Sequence, residues 1–204
     1  MRSRAFARSR RAPSVTAAVA VLLAAGGVAG WYGGSAAPVP SPPPASRFSQ
    51  NGVTVALSVA DWKDGSGTLR ATFTPEQAGF HLYSVDLPPD GIDGVGRPTS
   101  VQVTGALEAV GAPRVSVPVR PLVLPGDASA LPVYPDGPVT VSITVRTTAN
   151  GRGEATVLVG YAACSVTAGC LFPVTGHPVA VRVGTTGAVF PTEPPSPAPT
   201  TPSP

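Results

Sequence analysis

The sequence is short of the groups that do chemistry. Among 204 residues there are two cysteines and two histidines, and Lys63 is the one lysine. No glycine-rich phosphate loop follows a strand, which removes the nucleotide-binding classes built on that loop. No nucleophile elbow stands ahead of an Asp and a His, and no His-Glu zinc signature occurs. His81 and His177 lie far apart in the chain, and two Cys with two His lacking compact spacing make a poor zinc site. The sequence therefore calls for no metal and no cofactor. Amphipathic helical patterning is missing too, with "TPEQAG" (Thr74 to Gly79) allowing one turn at most. The carboxylates at Asp61, Asp64, Asp90, Asp93 and Asp136 fall in turn sequences, where Asx-turn chemistry accounts for them.

Charge is also unevenly spread. Residues 1 to 14 hold five arginines (Arg2, Arg4, Arg8, Arg10, Arg11) and no acid, and an apolar run from Val15 to Gly34 follows. A basic start, an apolar run and small residues ("GGSAA") are the parts of an export signal. At about 20 residues the run is also long enough to span a bilayer, so residues 1–36 are read as a cleaved signal peptide or an uncleaved signal anchor. In the second case residues 15–34 would tether the protein to a membrane, with the arginines on the cytoplasmic side. No cysteine closes the run, which argues against a lipid-anchored protein. Taking those five arginines from fourteen basic residues leaves nine against eleven acids, a net of about −2 for the exported part. The positive charge of the whole chain thus belongs to the signal and gives no reason to expect nucleic acid as a partner. The expected location is exported, either at the extracytoplasmic face of the cell membrane or secreted.

Residues 37–46 form a Pro-rich linker, and residues 185–204 a Pro/Thr/Ser-rich tail expected to be disordered. Neither has the apolar content to bury a core. One domain remains, at 47–184, long enough for a single core. Its dominant pattern is period-2 alternation. "VTVALSV" places Val53, Val55, Leu57 and Val59 on one face, and "TLRATF" does the same with Leu69, Ala71 and Phe73. "SVQV", "RVSVPVR", "VTVSITV", "ATVLVGY" and "PVAVRV" continue it, separated by turn sequences such as "DWKDGSG", "PDGP" and "ANGRG". About eight or nine short strands at this spacing predict an all-β, immunoglobulin-like β-sandwich. The fold by itself fixes no function.

Both cysteines lie in "VGYAACSVTAGCLFPVTGHP", where five residues separate Cys164 from Cys170. A permanent staple is the ordinary meaning of two cysteines in an exported domain. Yet a bridge across so short a loop stabilises by only about 2.5 kcal/mol, against about 4–5 between distant strands. A dithiol for exchange needs both sulfurs on one local hairpin with one reachable, and this spacing supplies that. The residues alone leave three readings open. They are an exchange domain, a non-catalytic exported sandwich with a structural disulfide, and a metal or small-ligand carrier using the cysteines and a histidine. Tyr161 and Phe172 either pack beside the sulfurs or serve as plain core aromatics. His177 either folds back across the hairpin as a base or sits in a surface turn.

The stretch "GYAACSVTAGCLFPVTGHPVAV" resembles the active-site hairpin of the DsbD amino-terminal domain family, the alpha domain of the thiol:disulfide interchange proteins. The family pattern is an aromatic, two residues, Cys, five residues, Cys, an apolar pair and Pro. Here Tyr161, Cys164, Cys170, Leu171, Phe172 and Pro173 carry it. "GFHLYS" (Gly79 to Ser84) and "LPVYPDGPVTVSITV" are similar to two further family segments in the same order. The resemblance implies the same immunoglobulin-like fold and a role in relaying electrons between thiols. It implies that Cys170 forms mixed disulfides with partners and that Cys164 resolves them, with Tyr83 flanking the pair. It implies a cap loop at "RPLVLPGDAS" (Arg120 to Ser129), with Leu122 or Leu124 as the apolar cover. The partners it implies are a separately encoded membrane thiol reductase as donor and extracytoplasmic thioredoxin-fold proteins as acceptors, such as disulfide isomerases and cytochrome c maturation reductases. The chain would then work as a standalone module.

Overall fold

The computed structural model describes residues 45–124, 129–148 and 151–191. The expected signal or anchor, residues 37–44 of the linker, the tail beyond residue 191 and residues 125–128 of the expected cap lie outside the described residues. Every regular element among the described residues is a strand. In chain order they are β1 (Ala45–Gln50), β2 (Val53–Lys63), β3 (Ser66–Pro75), β4 (His81–Leu82) and β5 (Ser100–Gly105). Then come β6 (Leu107–Val115), β7 (Arg120–Val123), β8 (Ala130–Val133), β9 (Val139–Thr147) and β10 (Gly153–Tyr161). The last are β11 (Ala163–Ser165), β12 (Gly169–Cys170), β13 (Val174–Val183) and β14 (Ala188–Val189).

Alternation decides which face each long strand buries. Val53, Val55, Leu57 and Val59 of β2, with Leu69, Ala71 and Phe73 of β3, are all buried, as their period-2 spacing requires. They belong to a five-stranded antiparallel sheet, β1-β2-β3-β9-β6, to which β9 adds Val139, Val141, Ile143 and Val145. A second antiparallel sheet, β14-β13-β10-β5, contributes Ala155, Val157, Val159, Tyr161, Val181 and Val183 to the same hydrophobic cluster. Two sheets sharing one core make the molecule an all-β sandwich. Each fully buried Val or Leu contributes roughly 1.5–3 kcal/mol, so this shared core is the main source of stability.

The elements differ from the sequence reading in two places. "RVSVPVR" is not one strand: Arg114 and Val115 end β6, and Arg120 begins β7. Pro118 has no N–H to give to a ladder, which breaks the run where alternation alone would continue it. The strands also number fourteen among the described residues, because the connections contain pieces of two to four residues. The sheets run from Ala45 to Val189, past the limits of 47 and 184, with β14 pairing on β13 through Arg182↔Val189 and Val183↔Ala188.

Candidate redox site

The cysteine hairpin leaves the sandwich at one point and rejoins it at another. Strand β10 pairs with β13 from Gly153↔Val183 to Val159↔His177, and the register then jumps to Tyr161↔Val174. Between those strands the chain forms β11 and β12, paired through Cys164↔Cys170 and Ser165↔Gly169. The Ser165 hydroxyl accepts from the N–H groups of Thr167 and Ala168, at 3.4 Å each, and so closes the turn. On its other side β11 pairs with β4 through Ala163↔Leu82 and Cys164↔His81. A small sheet, β12-β11-β4, therefore stands beside the two large ones.

Cys164 and Cys170 are joined by a disulfide, with Cα atoms 4.0 Å apart. That separation belongs to directly opposed residues in an antiparallel pair, so the bond links positions the hairpin already holds together. Their surroundings are unlike. Cys164 is 4% exposed, whereas Cys170 is exposed. Alternation sets Tyr161 and Ala163 against the main core and Ala162 and Cys164 against a second cluster, while Cys170 lies on β12, the edge strand of the small sheet. That cluster contains Tyr83, Leu87, Leu131 and Val133, with Leu122 and Leu124 packed against it.

The cluster is tied down by backbone. The hairpin β7–β8 is attached to the β4 segment by the Tyr83↔Val133 bridge. Hydrogen bonds from the N–H of Ser84 to the Pro132 carbonyl (2.9 Å) and from the N–H of Tyr134 to the Leu82 carbonyl (2.8 Å) hold it there. Tyr83 is fixed from its own main chain, since its carbonyl accepts from the Thr99 hydroxyl at 2.7 Å. Gly96, at φ +83°, passes so close to the Tyr83 ring that a Cβ there would lie 2.7 Å from it. Only glycine fits that left-handed, crowded position.

The other expected residues are placed as follows. Tyr161 is buried in the main core, edge-on to Phe73 at 5.7 Å, and donates its hydroxyl to the Gln50 carbonyl at 2.8 Å. Burial first and the charge of Glu76 second push its phenol up to about 12. It anchors the hairpin's root in the sandwich and does not belong to the cluster around Cys164. Phe172 is 85% exposed, which corrects both readings of it: it is no core aromatic and is not packed beside the sulfurs. Its neighbour Leu171 turns inward instead, against the Asn51-Gly52 turn, and the Asn51 side chain holds the Phe172 carbonyl at 2.9 Å. Pro173 is exposed as well. His177 is neither a turn residue nor a base over the hairpin, because it lies within β13 and stacks on Phe48 at 3.9 Å.

One residue near the cysteines is weighed in the sequence only as a metal ligand. His81 is 6% exposed, sits opposite Cys164 in register and meets Tyr83 edge-on at 5.7 Å. Burial holds its imidazole below the usual histidine range, partly opposed by the negative charge of Asp136. The available signal was spacing, since residues 81 and 83 of one strand share a face and Tyr83 was already assigned to the site.

Fold and site together define an all-β sandwich that carries a disulfide on a lateral hairpin, one cysteine buried and one exposed. No family model matches the chain, and no curated protein matches it in sequence. Among solved structures it is similar to the reduced amino-terminal domain of Neisseria meningitidis DsbD. The identity is 13%, over 68% of this chain and 90% of that one, with a TM-score of 0.40. It is also similar to the GAE domain of GGA2p from Saccharomyces cerevisiae, at 8% identity over 70% and 99% of the two chains and a TM-score of 0.35. Likenesses of this size carry no chemistry from one protein to another.

Proposed function

We propose that this protein is an extracytoplasmic thiol-disulfide exchange domain that relays electron pairs through Cys164 and Cys170. The observation that carries the reading is the unequal exposure of the two cysteines on one hairpin. An exchanger needs one sulfur that a partner can reach and a second, held against it, that ends the mixed disulfide. A donor thiolate attacks Sγ of Cys170, the Cys164–Cys170 bond breaks, and Cys164 leaves with the electron pair. A second donor thiol then releases the donor as its own disulfide, and the domain keeps two electrons and two protons as thiols. Delivery to an acceptor disulfide is the reverse sequence, with Cys170 attacking first.

The donor in this reading is a separately encoded membrane thiol reductase, and the acceptors are thioredoxin-fold proteins outside the cytoplasm. The export pattern of residues 1–36 supports that location. Residues 15–34, left uncut, would tether the domain, and the Pro-rich linker would hold 47–184 off the bilayer. Leu122 and Leu124, on the β7–β8 hairpin, act as a cover that must move when a partner docks. Phe172 and Val166, exposed and near Cys170 in the sequence, offer apolar contact to that partner.

Trapping tests this directly. Cys164→Ala, mixed with an oxidised thioredoxin-fold protein bearing a Cys-x-x-Cys motif, is expected to accumulate a mixed disulfide through Cys170. Cys170→Ala should give none, because its remaining thiol is buried. Equal trapping by both variants, or by neither, contradicts the assignment.

A further inference from the structure

Among the described residues, His81 is the one titratable side chain that shares both a ladder position and a face with the cysteines. Directly opposed residues of an antiparallel pair have Cβ atoms about 4.5–5.5 Å apart on the same face, and Cys164 opposes His81 on one side and Cys170 on the other. His81 is 6% exposed, and its buried Nε2 makes no hydrogen bond among the described residues. A buried polar atom without a partner carries an energetic cost and calls for an explanation. Here a proton arriving from the neighbouring sulfur supplies one.

The other candidates are committed elsewhere. Between Val159 and Pro178 there is no Lys, Arg, Asp or Glu. Tyr161 donates to the Gln50 carbonyl, and His177 is stacked on Phe48. Tyr83 faces the same cluster, but burial raises its phenol pKa, so it stays protonated and cannot accept. Asp136, in the segment after β8, is the carboxylate whose charge bears on His81.

We infer that His81 is the proton acceptor for Cys164 in the resolving step, an inference that rests on the exchange reading above. In the mixed disulfide, Cys170 is bonded to the partner's sulfur and Cys164 is a thiol. The neutral imidazole of His81 takes the Cys164 proton, and the resulting thiolate attacks Sγ of Cys170. The Cys164–Cys170 bond forms as the Cys170–partner bond breaks, and the electron pair leaves on the partner's sulfur. The proton stays on His81 until it passes to the leaving thiolate or to water. In the opposite direction the imidazolium returns it to Cys164 as that sulfur departs. A buried thiol is a poor thiolate on its own, and a neutral imidazole beside it removes that handicap.

The test uses the full chain in detergent, reduced with dithiothreitol, freed of reductant and mixed with 5,5′-dithiobis(2-nitrobenzoate) in a stopped-flow spectrometer. Cys170 attacks first and releases one thionitrobenzoate; Cys164 then resolves the adduct and releases the second. In His81→Gln and His81→Phe the first phase should stay within about twofold, while the second slows by about 10²-fold, the lower range for general-base assistance. In the unaltered chain the second phase should be flat above about pH 7 and fall only as the imidazole protonates. That profile decides the matter even if both variants fail to fold. A second phase unchanged in the variants, or one that climbs about tenfold per pH unit up to about pH 9 as free thiolate does, overturns the role of His81 and leaves the exchange reading standing. Absence of any first phase in the reduced chain overturns both.

Discussion

At the scale of residues, what separates Cys164 from Cys170 is the strand each occupies, central β11 for the one and edge strand β12 for the other. Alternation puts Ala162 and Cys164 against Tyr83 and Val133, while the return limb of the hairpin leaves Cys170 in the open. Burial holds the His81 imidazole below the usual histidine range, and this has a consequence for stability. An imidazole held below its usual value binds its proton less well folded than unfolded, so between the two values the unfolded chain carries more protons. Stability attributable to His81 is complete above about pH 6.5, the unfolded value, and is lost as pH falls through the lower folded value. Chemical denaturation from pH 7 to pH 5 should therefore show a decline in unfolding free energy that His81→Phe reduces. An unchanged decline in the variant would mean that His81 is not the group responsible.

At the scale of elements, the cysteine hairpin belongs to a small sheet built from pieces two or three residues long. The long strands were legible because Val53, Val55, Leu57 and Val59, or Leu69, Ala71 and Phe73, repeat often enough to show their period. A two-residue strand such as β4 or β12 has no period to read. The pairing of His81 with Cys164 spans far more sequence than any local pattern covers, and so His81 was weighed only as a metal ligand although "GFHLYS" was in view. Phe172 was misplaced for a related reason. One residue decides which face of an extended segment is buried, and Leu171 took the inward place against the Asn51-Gly52 turn. Leu122 and Leu124, the expected cover, pack on the cluster that contains Cys164. Truncating them, as Leu122→Ala with Leu124→Ala, should speed reduction of the disulfide by dithiothreitol by about threefold or more, because rates of exchange follow access. An unaltered rate, with the fold intact by circular dichroism, would show that these leucines do not shield the pair.

At the scale of the whole molecule, the disulfide is a poor candidate for the main staple. The sandwich is held by a core shared between two sheets, and the bond joins residues that already face each other across a hairpin. Converting both Cys164 and Cys170 to Ala is expected to lower unfolding free energy by no more than about 2.5 kcal/mol, the chain-entropy value for so short a loop. A loss of 5 kcal/mol or more, well above that, would mark the bond as structural. The measurement that tests the central claim most directly is the reduction potential of Cys164–Cys170, obtained by equilibrating the protein with dithiothreitol or glutathione buffers and counting trapped thiols. The exchange reading predicts a value of about −270 mV or higher, within the range of known exchangers. A value well below about −300 mV is that of a permanent bridge and would contradict it, leaving a β-sandwich with a structural disulfide.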